Sequence, residues 1–157
     1  DAPDYGCPRI TVMQDASSLT RFVGASRDLL DVDYQVQIAD FLAGCQYEAG
    51  VDGVAVAVAP VIVVARGPAN RDRPAAVEYF VSVVRGGNAI LNKQVFATTV
   101  AFEGNRGRVV LREDDAPIVI DLPGSPATAV RDYDIILGLQ LTEGELDYNM
   151  RRRSDGP

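Results

Sequence analysis

Residues 31–39 read DVDYQVQIA and residues 54–65 read VAVAVAPVIVVA. In the first stretch Val32, Tyr34, Val36 and Ile38 share one parity, and Asp33, Gln35, Gln37 and Ala39 share the other, which is the pattern of a strand with one buried and one wet face. In the second, Val54, Val56 and Val58 alternate with alanines and the apolar run resumes from Val61 to Val64. Both of its faces are apolar, so this strand is central in a sheet or faces a partner; Pro60 has no N–H to donate and should mark a bulge or an edge position. Outward from this pair, residues 77–84 are rich in β-branched and aromatic side chains and stop at Gly86-Gly87. Residues 95–102 turn through Glu103-Gly104-Asn105-Arg106-Gly107 into 108–112, a hairpin signal. Residues 118–122 and 133–141 complete the set, separated by a Pro/Gly/Ser/Ala loop over 123–129. Strands recur at turn-bounded intervals with no helical periodicity between them, which predicts an all-β fold, an immunoglobulin-like antiparallel β-sandwich.

Only the C-terminus reads as helix. Thr142-Glu143-Gly144-Glu145 has the spacing of a capping box, in which a hydroxyl and a carboxylate satisfy first-turn N–H groups reciprocally. Leu146 and Met150, at i and i+4, are expected to pack back on the sandwich, and Arg151-Arg152-Arg153 place cations where the helix dipole favours them. A second short helical turn is expected at Asp15, capping Ser17 and Ser18 ahead of Leu19 and Phe22. The domain reading is a single sandwich over residues 1–150 and a basic polar tail over 151–157.

The composition excludes several classes of function. The chain has 157 residues, 47% hydrophobic and 24% charged, with 22 acids against 15 bases and a net charge of -7. That is enough to bury one sizeable core. An acidic surface opposes approach to phosphate backbones, so no nucleic-acid partner is expected. Histidine is absent, which removes the usual base of serine and cysteine hydrolases and any Cys/His zinc set. Acids cluster as Asp31 with Asp33, Asp132 with Asp134, and Glu113-Asp114-Asp115; the first two pairs read as i, i+2 on strands decorating solvent, and no calcium-loop spacing is present. No cofactor or metal is expected, and no enzymatic activity. A carbohydrate site is weakened by the lack of tryptophan, although Tyr47, Tyr79 and Tyr133 remain for one. The longest apolar run, residues 54–65, is too short to span a bilayer.

Cys7 and Cys45 are an even pair outside any CxxC or metal spacing and are read as a disulfide; two buried free thiols are the alternative, because cysteine is also a small core hydrophobe. A bridge implies an oxidising compartment. Asp1 to Cys7 carries neither the basic nor the apolar region of a secretory signal, which reads as a processed chain.

The chain resembles an uncharacterised family of proteobacterial cell-envelope lipoproteins. The resemblance rests on Cys7-Pro8-Arg9, Leu19-Thr20-Arg21-Phe22, Arg27-Asp28-Leu29, Gly44-Cys45-Gln46-Tyr47, Arg66-Gly67-Pro68-Ala69, and Leu139-Gln140-Leu141-Thr142 followed by Leu146, Tyr148 and Asn149. It implies export, a lipid attached at a residue outside this chain, and no activity to carry over. The resulting expectation is a non-enzymatic interaction or structural module at the periplasm or outer-membrane surface, binding other envelope proteins or itself. Arg151, Arg152 and Arg153 are its candidate contacts to a partner or, peripherally, to a membrane. The alternative is a β-sandwich that binds a small molecule or carbohydrate.

Overall fold

The computed structural model describes residues 4–112 and 117–154. Among these residues, nine strands form two sheets. One has the order β1 (Arg9–Val12), β9 (Tyr133–Leu139), β5 (Ala75–Arg85) and β6 (Ala89–Val100); β1 runs parallel to β9 and the other pairs are antiparallel. The second has the order β2 (Ser18–Phe22), β3 (Val32–Gln46) and β4 (Val54–Arg66), with β7 (Arg108–Arg112) and β8 (Ile118–Leu122) both on the far side of β4. The sheets face each other across two apolar clusters. One gathers Tyr34, Val36, Ile62 and Val64 from the second sheet against Val77, Tyr79 and Leu139 from the first. The other packs Val54, Val56 and Val58 against Val81, Val83, Ile135 and Leu137. The protein is therefore all-β and sandwich-like, as the period-2 pattern requires.

Three sequential strands, β2-β3-β4, lie side by side in one sheet; the immunoglobulin order, ABED on CFG, contains no such run. The pairing of residues 95–112 also differs from a hairpin. β6 pairs with β5 through the Gly86-Gly87 turn, where both glycines have positive φ, and β7 pairs with β4 in the other sheet. Residues 103–107 thus carry the chain from one sheet to the other. The apolar parity of β7 fits either partner, and the local sequence does not distinguish them.

Pro60 behaves as its missing N–H demands. β8 pairs with β4 over Val54 to Val58 and β7 over Val61 to Ala65, so Pro60 falls in the gap between them. A bulge in the facing strand sits alongside: Ile38 pairs with Ile62 and Asp40 with Val61, leaving Ala39 as the extra residue. An extra residue reverses the alternation. Inward positions on β3 therefore switch from Tyr34, Val36 and Ile38 to Phe41 and Cys45. This is why the strand outruns the nine residues that alternate regularly.

The described residues include two α-helices, α1 (Pro126–Asp132) and α2 (Glu143–Ser154). The first lies where a loop was expected and begins with Pro126, a residue suited to the first helical turn. The segment around Asp15 is one 3₁₀ turn, Gln14–Ala16, without a side-chain cap, and Leu19 and Phe22 belong to strand β2. The capping box of α2 forms: the Thr142 N–H donates to Glu145 Oε1 at 2.9 Å and the Glu145 N–H to Thr142 Oγ1 at 3.1 Å. Its inward face, however, is Glu145, Tyr148 and Asn149, while Leu146 and Met150 are exposed. Asn149 Nδ2 donates to the carbonyls of Asp15 at 3.0 Å and Ser18 at 2.6 Å. Polar anchors, not the two apolar side chains, dock this helix.

Cys7 and Cys45 are bonded, which joins the segment before β1 to the end of β3 across 38 residues of sequence. No helix among the described residues is long and apolar enough to cross a membrane.

Candidate functional site: an apolar groove on the outer face of one sheet

From Tyr79 to Val84 every residue of β5 is buried. The odd positions enter the core between the sheets. The even positions, Phe80, Ser82 and Val84, face the other way and line a groove of about 380 Å³ together with Met13, Ala16, Ile136, Leu141 and Leu146. Strand register builds its floor in rows: Ile136, Ser82 and Lys93 are consecutive partners across β9, β5 and β6, and Gly138, Phe80 and Val95 form the next row. The 3₁₀ turn and the start of α2 supply the walls.

Two residues shape the floor. A Cβ on Gly138 would run into the Phe80 ring, so glycine is what lets that ring lie across β9. Lys93 holds its ammonium 4.6 Å from the centre of the same ring, a cation–π contact. Lys93 takes part in no ion pair among the described residues, and Ser82, on the same floor, is only 4% exposed. Among the described residues, no Asp or Glu lines the groove.

The wall formed by α2 is fixed by a polar chain that crosses the sandwich. Arg21 donates from Nε and Nη2 to Glu145 Oε2 at 3.0 and 2.9 Å, and from Nη1 to the Tyr34 hydroxyl at 2.6 Å. Tyr34 in turn donates to the Ala76 carbonyl at 2.8 Å. Burial acts to lower the Arg21 pKa, but the Glu145 hydrogen bond and the attraction of Tyr34 and Glu145 outweigh it, so the guanidinium is held above its ordinary value. Burial raises the Tyr34 phenol above its ordinary value, with Arg21 and the Ala76 carbonyl pulling the other way.

The residues singled out from sequence fall elsewhere. Arg151, Arg152 and Arg153 form the last turn of α2, not a tail beyond it. Arg151 pairs with Asp147 at 3.2 Å, Arg152 lies 5.6 Å from the Tyr148 ring centre, and Arg153 pairs with Asp15 at 3.2 Å. Of the acid pairs, Asp31 ends a 3₁₀ turn and Asp132 ends α1, so neither pair is i, i+2 on one strand. Asp33 is buried instead of solvated, and accepts from Asn70 Nδ2 at 2.7 Å. Glu113, Asp114 and Asp115 lie outside the described residues. Among those that are described, no three His, Cys, Asp or Glu side chains are placed to hold a metal ion. Tyr79 and Tyr133 are core residues, whereas Tyr47 lies in a polar recess beside the disulfide with Asp4, Glu48, Asp52 and Asp121; the three tyrosines share no site.

Sequence reasoning missed the groove, although a signal existed. Residues 79–84 are apolar at both parities but for Ser82, as residues 54–65 are, and the same inference of a second covered face applied to both. No family model, curated protein or solved structure matches this chain, so the groove and its surroundings are read from their own geometry.

Proposed function

We propose that the chain is a non-enzymatic interaction module of the bacterial cell envelope, acting at the periplasm or outer-membrane surface and binding other envelope proteins or a second copy of itself. The observation that supports this most is the edge strand β6. It has 12 residues, against about 5–6 for an ordinary strand, and among the described residues it pairs on one side only, with β5. Ile90, Leu91 and Val95 are exposed along it. Natural proteins blunt such edges with charges, proline or short strands; β6 carries a single charge, Lys93, and one bulge, near Leu91. The opposite edge of the same sheet, β1, has only four residues. An unpaired row of N–H and C=O groups of this length is a template for strand addition by a partner.

The Cys7–Cys45 bridge fits an exported, oxidising location, and the resemblance to envelope lipoproteins points the same way. An immunoglobulin-like kinship is kept in the proposal at the level of two facing sheets, with β2-β3-β4 as its departure. Contact of Arg151 to Arg153 with an acidic partner or an anionic membrane surface is a secondary element, since all three already have partners within the chain. The test is photo-crosslinking in the native envelope from a benzophenone side chain at Ala97 on β6 or, as control, at Val119 on β8. A discrete adduct from position 97 alone is expected; adducts from 119 alone, or from neither position, would refute the edge as the binding surface.

A further inference from the structure

We infer that the groove on the outer face of the β1-β9-β5-β6 sheet binds a single-chain anionic amphiphile, with its acyl chain on Phe80, Val84, Ile136 and Leu146 and its carboxylate on Lys93 and Ser82. The groove's volume, about 380 Å³, stands at the low end of the ~300–1,000 Å³ of small-molecule sites. That size and an apolar lining suit one hydrocarbon chain. The polar groups decide the head. Ser82 and Lys93 are direct partners in the β5–β6 register on the face that carries the groove, and residues so paired lie about 4.5–5.5 Å apart. One carboxylate oxygen can accept from the Ser82 hydroxyl while the other meets the Lys93 ammonium, a charge-assisted contact.

Charge complementarity selects an anion over a neutral or cationic head. In a chain with 22 acids and one lysine, that lysine stands at a groove with no acid in its lining, and its ammonium rests on an aromatic face without a carboxylate partner. A sugar is disfavoured because polar groups are few here; the polar recess beside the disulfide carries four carboxylates and no cation.

Calorimetric titration with dodecanoate and with dodecanol, each below its aggregation concentration, separates head from tail recognition. Dodecanoate should saturate one site, with dodecanol roughly ten-fold weaker, the effect of losing one charge-assisted hydrogen bond. Lys93→Gln, at an exposed position, should weaken dodecanoate by the same factor and dodecanol by distinctly less. Leu146→Glu, on the exposed wall, should weaken both. Unsaturable binding of dodecanoate, equal affinities for the two probes, or indifference to Lys93→Gln or Leu146→Glu in proteins of unchanged melting temperature would each overturn the assignment. The adducts at Ala97 report on strand pairing and are independent of this result.

Discussion

Strands β4 and β5 have the same kind of sequence and different surroundings. Each is the central, doubly apolar strand of its sheet, and each sends alternate residues into the shared core. On β4 the second face is made of Ala55, Ala57, Val61 and Val63, small side chains left half-buried by their neighbours. On β5 it is made of Phe80, Ser82 and Val84, buried under a 3₁₀ turn and a helix held in place by Arg21, Glu145 and Asn149. An apolar second face therefore does not by itself mark a binding surface. Elements that stand over it without filling it make a site, and those elements lie far away in sequence.

The largest expected effect falls on the β4 side. Cys45 pairs with Val56, and its bond to Cys7 closes a 38-residue separation, which in the chain-entropy model contributes about 3–4 kcal/mol. Cys7→Ser with Cys45→Ser should lower stability by about that amount in denaturant titration, and thiol labelling of the unreduced, denatured wild type should find no free thiol. Equal stability of the double variant would mean that the bridge only decorates this end of the sheet.

The next effect falls on the β5 side. Gly138→Ala forces the Phe80 ring off β9 and should cost about 1–3 kcal/mol, the usual range for overpacking. The groove's floor changes with it, so dodecanoate affinity should fall as well. If the variant is as stable as the wild type and binds equally, the ring does not depend on that glycine.

A smaller effect joins the two sheets. Tyr34→Phe removes the link between β3 and the Ala76 carbonyl and should cost roughly 1 kcal/mol at neutral pH. The pKa of Tyr34 is raised in the folded state, mainly by burial, so its contribution is fully present below the unfolded value of about 10 and is lost as pH rises through the folded value. Wild type should therefore lose stability above about pH 10, and Tyr34→Phe should lose less over the same window. Parallel pH profiles of the two proteins would contradict the burial of this phenol. The smallest effect is expected on the open face of β4, where Val63→Thr should shift stability by no more than about 0.5 kcal/mol.

Most of the strands were legible because one-faced burial writes itself as period 2, and the capping box of α2 because its two residues act on each other locally. The bridge was legible because two cysteines allow one pairing. Other features depend on contacts that no local pattern records. The Ala39 bulge reverses the parity of β3 in mid-strand, so residues 40–46 do not continue the alternation that precedes them. β1 and β2 are short edges whose pairing, with β9 and β3, is decided at a distance. The face of α2 was misread because burial was assigned to Leu146 and Met150 by hydrophobicity, whereas Asn149 is buried by two backbone carbonyls that need a donor. The groove was hidden for the same kind of reason: Ser82 and Lys93 are eleven residues apart and meet only through the β5–β6 register.

The proposed interface lies on β6 and the outer face beside it, and not on the open face of β4. Amide hydrogen exchange of the chain, isolated and then mixed with a bacterial envelope fraction as the proposed source of its partner, tests this residue by residue. Added protection over Ala89–Val100 on assembly, with unchanged exchange over Ile118–Leu122, is expected. Added protection confined to Ile118–Leu122 and β4, with β6 unchanged, would contradict it.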